Sequence, residues 1–93
     1  MTIVVKVEGT TLTRPDGSTD PSRVHLQYLL DGSFPQSDGP VPLQPPYVHS
    51  PMPQHTFKGL APGSHTVAIQ LAYGNHAPLK PRVQREVTFT VVP

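Results

Sequence analysis

The last third of the chain alternates between apolar and polar residues. Val67, Ile69 and Leu71 point one way, and Thr66, Ala68 and Gln70 the other. That is the period-two signature of a strand with one buried face. Arg82–Val92 repeats it, with Val83, Val87, Phe89 and Val91 set against Glu86, Thr88 and Thr90. Pro62 and Gly63 introduce the first of these strands. Proline fixes φ at the first central position of a tight turn, and glycine supplies the positive φ that a type II turn needs next. Phe57–Val92 therefore reads as two antiparallel strands around which the remainder is organised.

Upstream, Thr2–Glu8 reads as a strand, and Thr10–Thr13 as a short one. In Arg23–Leu30, residues Val24, Leu26, Tyr28 and Leu30 share a face, which leaves His25, Gln27 and Leu29 on the outward one. Gln54–Leu60 adds a short strand before the Pro62-Gly63 turn. Turn signals stand at Pro15-Asp16-Gly17, Asp20-Pro21, Asp31-Gly32 and Gly74–Pro78. No helical periodicity, internal repeat or interdomain linker is present, so residues 1–93 read as one domain. Five to seven strands with turn signals between them predict an all-β fold, a Greek-key β-sandwich.

Thirteen prolines change the picture in one place. They avoid the strands and concentrate between Pro35 and Pro53, as expected of a residue that cannot donate to a ladder. Ser33–Pro53 has no periodicity and reads as a Pro-rich loop, polyproline-like or a chain of turns. A loop this long is either functional or an ordered crossover between two sheets.

The remaining composition mainly excludes. There is no cysteine, so no thiolate or disulfide chemistry is available. Net charge is +1 and the basic residues are scattered, which argues against nucleic acid. No apolar run approaches the roughly 20 residues needed to span a bilayer, so no membrane association is expected. No signal peptide is read, since Ile3, Val4, Val5 and Val7 start a strand at once. Catalytic motifs are absent: no Gly-x-Ser-x-Gly elbow, no glycine-rich phosphate loop, no His-Glu-x-x-His. Most of the acids sit in or beside turns. The chain is expected not to be an enzyme.

Five histidines, His25, His49, His55, His65 and His76, together with Met52, are the one constellation with chemical potential. Imidazole suits copper, zinc and nickel, and a thioether adds a preference for Cu(I). The tightest local group is His49, Met52 and His55. On a polyproline II segment these three line one edge, with neighbours about 9 Å apart and the outer pair roughly 19 Å apart. Ligands of one ion lie about 2.0–2.3 Å from it. A turn at Pro51 or Pro53 is therefore needed, or a ligand from elsewhere such as His25, on the outward face of its strand, or His76. The plainer readings are a solvated His25, a turn-bonded His76 and a corner hydrogen-bonder at His65. A histidine-rich patch is also a pH-sensitive surface.

Leu60-x-Pro62-Gly63-x-His65 resembles the corner of immunoglobulin-like and fibronectin-like sandwiches, with His65 where a tyrosine bonds back to the turn, which implies a sandwich of that type. A wider resemblance spans Val24–Val92. Its pieces are His25–Gly32, Leu60–Val67 and Gln70–Pro78, followed by a Thr-Val strand. Together they resemble a bacterial family of small, usually exported β-sandwich domains of unknown function. Gln27 stands where that family has a second histidine, and Tyr73 where an acid is usual. The resemblance implies a sandwich fold and a periplasmic or extracellular setting, and implies no reaction. Two functional expectations follow. One is a non-catalytic structural or interaction module with a protein partner, self-association or a place in a larger assembly. The other is a copper- or zinc-binding domain using His49, Met52 and His55, with His25 or His76.

Overall fold

The computed structural model describes residues 1–93 and contains seven strands and no helix. They are β1 (Thr2–Val4), β2 (Thr11–Leu12), β3 (Arg23–Leu30), β4 (Tyr47–Ser50), β5 (Gln54–Thr56), β6 (Gly63–Tyr73) and β7 (Gln84–Val91). β1 and β5 form a two-stranded antiparallel sheet. The main sheet runs β3-β6-β7, all antiparallel, and the outer edge of β3 is shared. Its start, Arg23 and Val24, pairs with β2 in parallel, and Leu26–Leu29 pairs with β4 antiparallel. The chain is an all-β sandwich of two sheets.

The core between the sheets follows from the alternation. Ile3 of β1 meets Val24, Leu26 and Tyr28 of β3 and Val67, Ile69 and Leu71 of β6. Fully burying a side chain of this size contributes roughly 1.5–3 kcal/mol. β7 departs from its predicted pattern. Phe89 packs against this core, whereas Val83 and Val87 stay exposed, because the opposing sheet has only two strands.

The second face of the main sheet is also covered, contrary to the sequence expectation for His25, Gln27 and Leu29. The Pro-rich segment is not a free loop. Phe34 and Val41 pack on Leu29 and Ala68, with Tyr47 against them. Arg82 fastens the segment by donating to the carbonyls of Pro35 (3.1 Å), Gln36 (2.8 Å) and Ser37 (2.8 Å). Its second half then becomes β4, a strand hidden in the sequence by flanking prolines. His25 and Gln27 are consequently 0 % exposed, not solvated.

The Asp31–His65 corner closes the other end. Asp31 accepts from the Thr66 amide (2.9 Å) and pairs with Nδ1 of His65 (2.7 Å), whose Nε2 faces the Ala61 carbonyl (2.7 Å). A carboxylate and a carbonyl both accept, so both ring nitrogens donate and the imidazolium is favoured. The Ala61 carbonyl, then the Asp31 carboxylate, raise the His65 pKa. Thr66 and His65 lower that of Asp31. His65 is thus the corner hydrogen-bonder that its position predicts.

Candidate metal centre

Three histidines from distant parts of the chain meet on the covered face. His25 lies on β3, opposite in parity to Leu26 and Tyr28, so its ring enters the layer under the Pro-rich segment. β4 pairs with Gln27 opposite His49, which places His49 on that same face. His76 arrives from the turn after β6. Ala72, the register partner of His25, also bridges Pro78, so the chain doubles back beside β3.

That turn is held tightly. The amide of His76 donates to Tyr73 (2.8 Å), the Tyr73 amide to Ala77 (2.9 Å), and Asn75 Oδ1 accepts from the Ala77 amide (3.0 Å). His76 itself has φ +74°, a left-handed conformation costing a residue with a Cβ roughly 1–2 kcal/mol. Gly74 allows the Asp16–Ser18 turn to clamp the loop. A Cβ there would collide with the Asp16 carboxylate and with the backbone nitrogens of Asp16 and Ser18. The clamp is completed by the amides of Gly17 donating to Gly74 (2.9 Å) and of Asn75 donating to Ser18 (3.0 Å).

His49 Nδ1 lies 3.2 Å from His25 Nε2 and 3.1 Å from His76 Nδ1, and one ring nitrogen of each of the three histidines falls within 4.8 Å of one from each of the others. Four donors set about 2.05 Å from one ion at tetrahedral angles stand about 3.3 Å apart. The two shorter edges therefore already match shared coordination. The Nε2 of His49 faces the Pro42 carbonyl at 2.8 Å, which only accepts, so Nε2 is the donor there, and in the neutral tautomer that leaves Nδ1 with the lone pair. Fixing a ligand ring through its second nitrogen is the usual device of histidine metal sites. Without an ion, His25 Nε2, His76 Nδ1 and Gln27 Nε2 (3.3 Å) all crowd that one lone pair. His25 Nδ1 is buried without any partner, and an unmet polar group of this kind costs about 1–3 kcal/mol.

Electrostatics keep the site ready for a cation. Burial, then the neighbouring His76 and His49, lower the His25 pKa from 6.5 to about 4. Burial, then His49, lower that of His76. Both shifts favour the uncharged form of His25 and His76, the form that ligates a metal. No carboxylate joins the cluster. Asp16 pairs with Arg23, Asp31 with His65, and Asp38 with Arg82.

Residues 3–92 match the family model described as Domain of unknown function (DUF4399). The chain belongs to that family. Nothing matches among the curated proteins or among the solved structures.

Within this DUF4399 domain the sequence-predicted site residues divide. His25, His49 and His76 converge. His55 lies between the two sheets, opposite Ile3 in register, stacked on Tyr28 (5.5 Å) and edge-on to Phe57 (4.6 Å). Tyr28 is three positions from His25 and so on the other face of β3. Met52 offers its backbone carbonyl to the Tyr28 hydroxyl (3.0 Å), and the residue is 54 % exposed. The chain changes sheets between β4 and β5, so the turn at Pro51–Pro53 separates His49 from His55. Sequence reasoning set Gln27 and Gln70 on the polar faces of their strands and gave neither a role at the site; both are essentially unexposed. Their signal was uncharged amides at the alternate positions of two strands.

Proposed function

We propose that this domain binds a zinc or copper ion through His25 Nε2, His49 Nδ1 and His76 Nδ1. The observation that carries the reading is the convergence of one ring nitrogen from each of three histidines, with His49 oriented through its Nε2 by the Pro42 carbonyl. Three imidazoles without a thiolate suit zinc and copper. An ion would neutralise the lone-pair crowding and draw on groups already buried. Met52 and His55 have no part in this ligand set. The reading is of a non-catalytic binding module in a periplasmic or extracellular setting, in keeping with the resemblance of Val24–Val92 to exported β-sandwich domains. Calorimetric titration with Zn(II), Cu(II) and Cu(I) tests this. One equivalent is expected to bind with Kd below about 10 μM, a free energy near −7 kcal/mol. His25→Ala, His49→Ala and His76→Ala each abolish that binding, while His55→Ala and Met52→Ala leave it unchanged. Weaker binding by the wild type, or binding lost with His55 but kept without His76, overturns it.

A second reading rests on the exposed edge of β7, where Val87, and Val83 just ahead of the strand, face solvent. An unpaired edge strand offers its backbone to another chain, so contacts with a protein partner, or self-association, fit that side of the molecule.

A further inference from the structure

We propose that Gln27 supplies the fourth donor to the bound metal, through its amide oxygen, by reversal of a row of three glutamine amides. The inference rests on the triad holding a metal.

The row is a consequence of register. His49, Gln27, Gln70 and Gln84 are successive partners across β4, β3, β6 and β7. Partners on one face of a sheet stand in line at the interstrand spacing. Gln84 Nε2 donates to Gln70 Oε1 (2.7 Å), and Gln70 Nε2 donates to Gln27 Oε1 (2.5 Å). Gln27 Nε2 then donates to the His76 carbonyl (3.0 Å) and stands 3.3 Å from His49 Nδ1. That last separation is the spacing expected between two ligands of one tetrahedral ion.

In this polarity the row ends in N–H hydrogens aimed at the triad, which a cation would repel. The two ends of an amide are nearly isosteric, so the same atomic positions serve the opposite polarity. After reversal Gln27 Nε2 donates to Gln70 Oε1, and Gln70 Nε2 donates to Gln84 Oε1. Gln27 Oε1 then faces the ion. The His76 carbonyl loses a donor and faces the Gln27 oxygen instead, at the 3.0 Å now held by the amide nitrogen; the adjacent cation offsets that acceptor–acceptor contact, and the carbonyl keeps the amide of Val41 (3.0 Å). The far end of the row reverses freely, because Gln84 is exposed to water. A neutral oxygen as fourth donor favours Zn(II) and Cu(II) over Cu(I), so Gln27 determines specificity at this site.

The test is nuclear magnetic resonance on the wild-type domain before and after one equivalent of Zn(II), paired with titration of Gln27→Met. In the metal-free protein the Gln27 side-chain amide protons should show Overhauser contacts to His49 and His76. On zinc addition these should vanish and be replaced by contacts to Gln70. Gln27→Met should lose zinc affinity roughly tenfold or more and keep its Cu(I) affinity. Should that variant not fold, the wild-type spectra decide alone. Zinc binding with the Gln27 contacts to His76 unchanged overturns this proposal and leaves the triad standing. No zinc binding by the wild type overturns both.

Discussion

Acidifying the metal-free protein from pH 7 to pH 4 should cost about 3 kcal/mol of folding stability through His25 alone. The ring is 0 % exposed, and its pKa falls from 6.5 to about 4 on folding. The unfolded chain therefore takes up a proton near pH 6.5 that the folded chain accepts only near pH 4. Between those values the unfolded state binds more protons, so stability falls as the pH falls. Each pKa unit is worth 1.36 kcal/mol, which gives the figure above. Denaturant unfolding at a series of pH values measures it. In His25→Leu, where no charge is buried, most of the slope between pH 6.5 and 4 should disappear. A wild-type protein equally stable at pH 7 and pH 4, or a His25→Leu variant with the full slope, would contradict this account of the site.

The second large effect is stabilisation by metal. An ion that binds only the folded state adds about 2.7 kcal/mol at a free concentration of 100 times Kd. For a domain of this size each kcal/mol moves the melting temperature by about 4–8 °C. Zinc at that excess should therefore raise Tm by about 10–20 °C in differential scanning calorimetry. The triple variant His25→Ala/His49→Ala/His76→Ala should show no such rise. An equal rise in the triple variant would place the ion elsewhere. No rise in the wild type would remove the proposed function.

Much of the frame was legible in the residues. Alternation located β3 at its observed bounds, Arg23–Leu30, and most of β6 and β7. The proline and glycine signals located the turns at Asp31-Gly32 and Gly74–Pro78, and His65 took its corner role, whereas Gly63, expected inside a turn, opens β6 opposite Val91. The other face of the sheet was not legible. Alternation says that His25, Gln27 and Leu29 share a side, but not what lies over it. The cover comes from Phe34 and Val41, isolated apolar residues among prolines that show no periodicity. β4 is only four residues long, Tyr47–Ser50, and proline stands on either side of it. The triad was half visible for the same reason. His49 and His55 are close in sequence, yet the strand change at Pro51–Pro53 sends them to opposite sides of the main sheet. His25, His49 and His76 are far apart in sequence and are joined by register: Gln27 opposite His49, His25 opposite Ala72. Register depends on which strands pair, which a single chain's pattern does not reveal.

The most direct test of the metal centre is diffraction from crystals grown with one equivalent of zinc, with data collected on either side of the zinc absorption edge. The expected result is one anomalous peak about 2.0–2.1 Å from His25 Nε2, His49 Nδ1 and His76 Nδ1. A peak beside Met52 or His55, or none inside the triad, would contradict it.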